Sequence, residues 1–340
     1  MYLGGCFLIV HIIEEKIEMK IKKWLVGILM VVLVVLGACT SEEGVAEVDE
    51  VIKIGTLNFI EHESLAAAEE GFYQALADNG YVKGKNIEIE SISAQGAQDN
   101  LNPMAEQIVK ENDMILSLGT ATTQALANIE QKKPIIFTAV TDPIDSGLVE
   151  SQEAPGKNIT GSSDYMPIDN QIDLLISLDK DAENVGVIYN SSEANSTIQA
   201  EEAIRLIEEA GLKSVVTTIT STNDVQQNLM SIVNEIDLLY IPTDNTIAGT
   251  MPTVKDITIE HQIPSVLGAP EMVEAGGLTT YSVDYTSLGY QAGEIAVKIL
   301  NGDTEPATTP YQNAEELILV INEEVAGALG IDPESIQIPE

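Results

Sequence analysis

Residues 113–140, DMILSLGTATTQALANIEQKKPIIFTAV, decide the fold of this 340-residue chain. Two short apolar runs, at 113–118 and 134–140, enclose a helical pattern at 122–131. A strand, a helix and a second strand in that order form a βαβ unit, in which the long crossover makes the two strands parallel. The stretch therefore predicts an α/β fold with a parallel sheet covered by helices.

The alternation of strand and helix continues on both sides of this stretch. Before it, apolar runs at 52–57 and 86–90 alternate with helical patterns at 64–79 and 102–112. After it, apolar runs at 185–189, 215–219, 237–241 and 264–267 enclose helical patterns at 196–210 and 225–234. The chain thus contains two successive series of strand–helix units.

The two series repeat one another. Four pairs of residues keep a spacing of roughly 130 positions, Gly80 with Gly211, Asp113 with Asp237, Pro134 with Pro264, and Leu148 with Leu278. This spacing predicts two similarly folded α/β lobes with a cleft between them, and chance agreement of ordinary α/β punctuation is the alternative. Ligands of open parallel sheets bind beyond the carboxyl ends of the strands, so residues that follow the strands are the candidates for a site.

The segment ahead of the repeats has the order of an export signal. Basic residues at 19–23 precede an apolar run at 24–38, which is shorter than the ~20 residues that span a bilayer. The string Leu36-Gly37-Ala38-Cys39 resembles the bacterial lipobox, which implies a lipoprotein signal peptide at 19–38 and a lipid on Cys39. An uncleaved N-terminal anchor is the alternative. Residues 1–18 do not fit a signal peptide, so we expect translation to start at Met19, and residues 39–50 read as a flexible tether.

The composition narrows the classes of partner. The chain has 16 Lys and Arg against 54 Asp and Glu, a net charge of −38, so we expect no nucleic-acid partner and no basic surface for anionic lipid. Two cysteines and three scattered histidines (His11, His62 and His261) form no metal-ligand motif. We therefore expect no metal and no cofactor.

Small polar residues follow the strands in both predicted lobes. The candidates are Asn58, Glu61, His62, Thr120, Ala121, Thr122, Thr141 and Asp142 in the first lobe, Ser192, Asn195, Ser196, Asp244 and Asn245 in the second, and Asp284 at the hinge. Helix starts at Thr120 and Asn195 favour an anion such as a carboxylate, and Asp244 and Asp284 are placed to receive an ammonium group. The set predicts a zwitterionic ligand, although each member alone reads equally well as a helix cap.

Aromatic residues near the strand ends offer a surface for a flat ligand. They are Phe59, Tyr165, Tyr189, Tyr281 and Tyr285, and core packing is the alternative role for at least half of them. Glu61 and Asp142 are a possible carboxylate pair, but no residues complete a nucleophile, base and orienting group. A phosphate-binding glycine loop and a Gly-x-Ser-x-Gly string are both absent from the sequence. The sequence therefore predicts binding without catalysis.

Several longer strings resemble one known family, the lipid-anchored substrate-binding proteins of ABC transporters, in particular the TrpX-like group. The resemblance covers residues 52 to about 331 and rests on IGTLNFIEH (54–62), EGF (70–72), GYVKGKN (80–86), FTAVTDP (137–143), NITG (158–161), VIYNSSEANS (187–196), PTDN (242–245) and VDY (283–285). The stretch 268–272 departs from the Ser- and Asp-rich form of the family, which leaves the identity of the ligand open.

The resemblance implies a type I periplasmic-binding fold of two Rossmann-like lobes with a hinge of three crossings, expected at 162–166, 282–285 and 307–311. The first lobe would comprise 51–162 plus 286–308, and the second 166–282 plus 312–335, with 317–322 returning to the second lobe. It also implies a monomer, tethered by lipid to the outer face of the cell membrane, that delivers an amino acid to an ABC permease and its ATPase. Tryptophan, phenylalanine or tyrosine is the favoured ligand. A ligand-sensing ectodomain and a Rossmann-type enzyme are the alternatives.

Overall fold

Two six-stranded sheets, each flanked by helices, form the part of the chain described by the computed structural model, residues 51–315 and 317–338. We call them the sheets of lobe 1 and lobe 2. The sheet of lobe 1 comprises β1 (Ile52–Asn58), β2 (Ile87–Ser93), β3 (Met114–Leu118), β4 (Ile135–Thr138), β5 (Ile159–Ser163) and β11 (Gln312–Asn313). The sheet of lobe 2 comprises β6 (Asn184–Asn190), β7 (Lys213–Ile219), β8 (Leu238–Ile241), β9 (Ser265–Leu267), β10 (Thr279–Val283) and β12 (Leu317–Ile321).

The helices follow the strands in the same alternation. Lobe 1 has α1 (Glu63–Asp78), α2 (Gln98–Glu111), α3 (Thr120–Ile129) and α10 (Tyr285–Leu300), and lobe 2 has α4 (Ile168–Leu178), α5 (Ala194–Glu209), α6 (Val225–Ile232), α7 (Asn245–Ala248), α8 (Met251–Glu260), α9 (Pro270–Glu274) and α11 (Glu323–Ala328). Strands β3, β4 and β8 are buried throughout, as expected for parallel strands covered by helices on both faces.

The repeat predicted from the sequence is present in the strand order. Lobe 1 has the order β11-β5-β4-β3-β1-β2, and lobe 2 has β12-β10-β9-β8-β6-β7, so the first five strands of each lobe occupy equivalent places. Gly80 and Gly211 each follow the helix after the first strand of their lobe, with φ near +90°, a conformation that glycine adopts without strain. The sheet of lobe 2 is not wholly parallel, however, because β12 runs antiparallel to β10.

Two aspartates of the repeat make equivalent hydrogen bonds to the backbone at the amino ends of the sheets. The Oδ2 atom of Asp113 accepts a hydrogen bond of 2.9 Å from the backbone N–H of Lys53, just inside β1. The Oδ2 atom of Asp237 accepts bonds of 2.9 Å from the N–H groups of Glu183 and Asn184, at the start of β6. Each aspartate therefore ties its own strand to the first strand of its lobe.

Three crossings join the lobes. The first lies between β5 and α4 and the second between β10 and α10. The third crossing was predicted at 307–311, with residues 312–335 in the second lobe. This prediction is wrong, because residues 312 and 313 still belong to lobe 1. Gln312 and Asn313 pair with Ser162 and Ser163 in the sheet of lobe 1, so the chain crosses only after Asn313.

A close helix pair holds α10 to lobe 1. A Cβ atom added to Gly71 on α1 would lie 2.0 Å from the carbonyl oxygen of Thr286, and one added to Gly289 on α10 would lie 1.9 Å from that of Ala68. Only glycine permits this approach of the two backbones. Helix α10, which begins at the second crossing, is thereby fixed against α1.

Within residues 51–315 and 317–338, no helix has the length and apolar character needed to cross a membrane. The predicted start at Met19, the signal peptide at 19–38, the lipidated Cys39 and the tether at 39–50 lie outside the described residues.

Candidate functional site

The carboxyl ends of the two sheets face each other around a small cavity, which we call the inner cavity. Its residues come from both lobes and from the crossings: His62, Ser64, Leu65, Ala139 and Asp164, then Asn195, Thr243, Asp244, Asn245, Ala248, Ala269 and Met272, and finally Tyr285. Its volume of about 10 Å³ accommodates roughly one water molecule. The lobes are therefore close together in this structure.

One hydrogen bond joins side chains of the two lobes directly. The Nε2 atom of His62, in the loop before α1, lies 3.0 Å from Oδ1 of Asn245 at the start of α7. Burial lowers the pKa of His62, and the bond to Asn245 opposes this shift only in part. Burial therefore favours the neutral form of the imidazole.

Several buried polar atoms around the inner cavity have no hydrogen-bond partner among the described residues. They are Nδ1 of His62, Oγ of Ser64, Oδ1 of Asp164 and Oδ1 of Asn195. Native proteins rarely leave buried polar atoms unpaired, because each costs about 1–3 kcal/mol. Four such atoms around one cavity indicate a place where a polar ligand completes the hydrogen bonding.

Two acidic side chains meet near the hydroxyl group of Tyr285. That hydroxyl donates a 2.9 Å hydrogen bond to Oδ2 of Asp164, which is 1% exposed. Burial raises the pKa of Asp164, and the hydroxyl groups of Tyr285 and Thr141 oppose the shift. Burial also raises the pKa of Glu271, whose Oε2 has no partner among the described residues, and a hydrogen bond from its own backbone N–H opposes that shift. Both carboxyl groups raise the pKa of Tyr285 by their charge, after burial.

A larger outer cavity of about 650 Å³ adjoins the inner one. It is lined by Thr141, Asp142, Asp145, Tyr165, Met166, Pro167, Ile168, Asp169, Ile198, Gln199, Glu201, Glu202, Arg205 and Leu206. A hydrogen bond of 2.8 Å links residues of the two cavities: the backbone N–H of Thr243 at the inner cavity donates to Oε1 of Gln199 at the outer one. The ring of Tyr165 stands half exposed at this cavity, which has ample volume for an amino-acid side chain.

Lobe 2 supports its share of the inner cavity with a buried carboxylate, Glu193. Its Oε2 accepts bonds from the backbone N–H (3.2 Å) and the side-chain amide (2.6 Å) of Asn245. Its Oε1 accepts from the N–H and hydroxyl of Thr246 and from the amide of Asn190. Glu193 is 1% exposed and holds the loops after β6 and β8 together.

Asp244 completes the same network. Its Oδ2 accepts a 2.6 Å bond from the N–H of Asn190, and its Oδ1 caps α7 through a 2.9 Å bond from the N–H of Ile247. Burial, and then the negative charge of Glu193, raise the pKa of Asp244 to about 7. Asp244 thus lines the inner cavity as predicted, but its oxygens bond to the backbone instead of standing free for an ammonium group.

The structure brings seven of the fourteen residues predicted from the sequence to the two cavities or their immediate support. His62, Asn195, Asp244 and Asn245 line the inner cavity, and Thr141 and Asp142 line the outer one. Ser196 donates its hydroxyl to the carbonyl of Thr243, which lines the inner cavity. Thr120 and Ala121 begin α3 with buried side chains, and Oγ1 of Thr120 has no partner among the described residues.

The other five predicted residues lie elsewhere or point their polar atoms inward. Thr122 donates its hydroxyl to the carbonyl of Leu118, and Oδ1 of Asn58 accepts from the N–H of Ile60. Glu61 is exposed beside a smaller cavity of about 150 Å³, and Ser192 is exposed. The Oδ1 atom of Asp284 caps α10 through Ser287 N–H. The polar groups of Thr122, Asn58 and Asp284 thus satisfy their own local turns and helix ends, as the capping alternative expects.

Five residues of the site were not chosen from the sequence: Ser64, Asp164, Glu193, Gln199 and Glu271. Asp164 directly follows β5 and Glu193 lies three residues after the end of β6, so both meet the criterion used for the others. In a chain with 54 acidic residues, an additional carboxylate carries little signal. Their burial distinguishes them, and only the folded structure reveals it.

The family model described as "ABC transporter substrate binding protein" matches residues 53–338, nearly the whole of the described chain. The chain belongs to this family, and the resemblance noted in its sequence is confirmed. It is a substrate-binding protein of the ABC transporter class, with the type I periplasmic-binding fold predicted from the sequence.

Relatives and solved structures agree with this assignment. The "Tyrosine-binding protein" of Clostridioides difficile (strain R20291) is 39% identical over 277 residues, which are 81% of this chain and 80% of the relative. An ABC domain from Streptococcus pneumonia in complex with L-Trp is 35% identical, with a TM-score of 0.78, and the match covers 85% of this chain and 96% of that one.

A third neighbour was solved without a ligand and with its lobes open. The ligand-free, open structure of a substrate-binding protein from Clostridium difficile is 37% identical, covers 85% of this chain and 98% of that one, and has a TM-score of 0.64. At nearly equal identity, the present structure resembles the tryptophan complex more than the open form. The lobes are therefore arranged here more nearly as in a ligand-bound protein.

Proposed function

We propose that this protein is the extracytoplasmic solute receptor of an ABC importer and that it binds an aromatic amino acid between its lobes. The ligand is carried to a permease powered by an ATPase, and the receptor acts as a monomer tethered by lipid on Cys39. The names of the relatives support the ligand class, since one is a tyrosine-binding protein and one was solved with L-Trp. The proposed role is binding without chemical conversion of the ligand.

The group of unpartnered acceptors around the inner cavity carries this proposal. Nδ1 of the neutral His62, Oδ1 of Asp164 and Oδ1 of Asn195 all accept hydrogen bonds, and Asp164 adds a negative charge. An α-ammonium group donates three hydrogen bonds and carries a positive charge. Its entry would satisfy these atoms and neutralise the buried carboxylate.

The α-carboxylate has a matching partner at the start of α3. This ten-residue helix has no side-chain cap, so its first N–H groups are available to an anion, and the hydroxyl of Thr120 is buried without a partner among the described residues. We infer that the carboxylate lies at Thr120 and Ala121. This arrangement uses both ends of an amino acid and selects against neutral solutes.

The side chain of the ligand has room in the outer cavity. Its walls combine the half-exposed ring of Tyr165 with the apolar residues Met166, Ile168 and Ile198. An aromatic side chain would stack on Tyr165 and remove apolar surface from water. The many acidic groups around this cavity disfavour an acidic ligand side chain.

Ligand binding and closure of the lobes are coupled in this proposal. The inner cavity in the present arrangement holds about one water, so the lobes must part before an amino acid enters. The ligand then favours the closed state by the contacts that it makes to both lobes at once.

The test is calorimetric titration with L-tyrosine, L-tryptophan and L-phenylalanine, using the wild type and Asp164→Asn. Asparagine keeps the size of the side chain and an acceptor for Tyr285 but removes the charge, so we expect at least a tenfold loss of affinity, about 1.4 kcal/mol or more. The melting temperature of the ligand-free variant should stay level or rise, because burial disfavours the charged form of Asp164.

Asp256→Asn is the matched control, since it makes the same chemical change at an exposed position of α8. It should leave the affinity unchanged. Recovery of the intact amino acid after incubation tests the absence of turnover. If none of the three amino acids binds to the wild type, the proposed function is wrong.

A further inference from the structure

The side-chain amide of Asn245 has its orientation fixed by Glu193. The Nδ2 atom of Asn245 lies 2.6 Å from Oε2 of Glu193, which also accepts the backbone N–H of Asn245. A carboxylate only accepts hydrogen bonds, so the nitrogen of the amide must face it. The Oδ1 atom of Asn245 therefore points to the other lobe, toward His62.

This orientation determines which nitrogen of His62 carries the proton. Because Oδ1 of Asn245 is an acceptor, the Nε2 atom of His62, 3.0 Å away, must be the donor. In the neutral ring, Nδ1 then has a free lone pair. This atom is buried, has no partner among the described residues, and belongs to a ring that lines the inner cavity.

We propose that Glu193 is a positioning residue for the ligand: acting through Asn245, it holds His62 in the Nε2–H tautomer, so that Nδ1 accepts a hydrogen bond from the ligand's ammonium group. This inference rests on the proposed function. It adds a role for Glu193, which acts through Asn245 and does not contact the ligand itself. His62 and Asn245 belong to different lobes, so the relay is complete only when the lobes close. Closure and recognition of the ammonium group are thereby a single event.

Glu193→Gln breaks the relay with a small change of shape. Glutamine offers one acceptor and one amide donor where five donors now meet a carboxylate. With an amide donor facing Asn245, the Asn245 amide turns and presents its nitrogen to His62. The ring then carries its proton on Nδ1, which points a donor at the ammonium group.

The first readout is the tautomer itself. In the wild type with bound amino acid, the ¹⁵N shifts of His62 should report a proton on Nε2, with His261 as an internal reference. Glu193→Gln should shift the population toward Nδ1–H. The double variant Glu193→Gln, Asn245→Asp should return it to Nε2–H, because an aspartate oxygen again accepts from His62.

The second readout is the preference for the ammonium group. The probe is whichever of L-tyrosine, L-tryptophan and L-phenylalanine binds most tightly to the wild type, together with its deaminated analogue. Glu193→Gln should reduce the ratio of the two affinities at least fivefold, and the double variant should restore most of it. A merely structural role would weaken both ligands equally and leave the ratio unchanged.

Asn245→Ala provides the same test if Glu193→Gln does not fold, because it removes the acceptor for His62 and leaves the other donors to Glu193 in place. It should lower the affinity ratio by a similar factor. If an amino acid binds and neither the tautomer nor the ratio responds, the relay is wrong while the proposed function stands. If none of the three amino acids binds to the wild type, the proposed function fails and the relay with it.

Discussion

The two lobes have the same aspartate–backbone hydrogen bonds at the amino ends of their sheets but different polar residues at the carboxyl ends. At the amino ends, Asp113 and Asp237 each accept backbone N–H groups from the first strand of their lobe. At the carboxyl ends, lobe 1 presents small hydroxyl residues such as Thr120 and Thr141, whereas lobe 2 buries Glu193 and Asp244. The two amino ends are therefore alike, whereas the two carboxyl ends, where the ligand is proposed to bind, differ.

The difference gives the lobes different tasks. In lobe 2, Glu193 and Asp244 satisfy backbone and amide donors of the loops after β6 and β8, which makes a fixed platform. In lobe 1 and the first crossing, the buried atoms at Ser64, Thr120 and Asp164 have no partner among the described residues. Lobe 2 therefore supplies most of the pre-organisation, although Asn195 and Glu271 give it unpartnered atoms as well.

Removal of the Glu193 carboxylate should cause the largest loss of stability. Glu193→Ala leaves five donors around Asn190, Asn245 and Thr246 without an acceptor in a buried site. We expect the free energy of unfolding to fall by about 3 kcal/mol or more, measured by urea denaturation. Glu235→Ala, at an exposed position of the same lobe, should change it by less than about 0.5 kcal/mol. Equal effects of the two variants would mean that lobe 2 is not pre-organised by Glu193.

The two ends of the lobe 2 sheet should respond to pH with opposite signs. The folded protein raises the pKa of Asp244 to about 7, so between about pH 4 and 7 it binds a proton that the unfolded chain lacks, and stability falls as the pH rises through this range. The pKa of Asp237 is lowered by the N–H groups of Glu183 and Asn184, so its contribution is present above its usual value near 3.8 and is lost as the pH falls below it.

The measurement is urea denaturation from pH 3 to 8 for the wild type, Asp244→Asn and Asp237→Asn. The free energy of unfolding of the wild type minus that of Asp244→Asn should fall as the pH rises from 4 to 7. The difference for Asp237→Asn should be level above pH 5 and shrink below pH 4. Parallel pH profiles for the two variants would contradict the contrast between the two ends of the sheet.

We expect the smallest change in stability at the hydrogen bonds of Asp113 and Asp237, which both lobes share. Asp113→Ala removes one hydrogen bond to the backbone and Asp237→Ala removes two, all at solvent-accessible sites. We expect losses of about 0.5 and about 1 kcal/mol in the free energy of unfolding, with ligand affinity unchanged. A loss of affinity for either variant would show that the amino ends also serve the ligand.

The sequence predicted the repeat and the fold because periodic apolar runs and helix-ending glycines are local signals. It failed at the third crossing because residues 307–311 have the composition of a linker, while β11 has only two residues and is recognisable only by its pairing with Ser162 and Ser163. A strand that short has no periodicity of its own.

For the site, the sequence identified the right loops but not the right side chains in all of them. The second crossing shows why. Asp284 was chosen, yet its carboxylate caps α10, and the next residue, Tyr285, reaches the inner cavity. Neighbouring residues at a helix start point in different directions, and sequence spacing alone does not determine which of them faces a ligand.

The glycine contact between α1 and α10 determines where the molecule is able to bend. Because the backbones touch at Gly71 and Gly289, α10 moves with α1 as one rigid body, and no rotation is absorbed along its length. The turning axis must then pass near the single residue between β10 and α10 and through the other two crossings. A larger side chain at Gly289 would force the two helices apart and shift that axis. The pocket would stay intact, but the surfaces of the two lobes that face the permease would be misaligned.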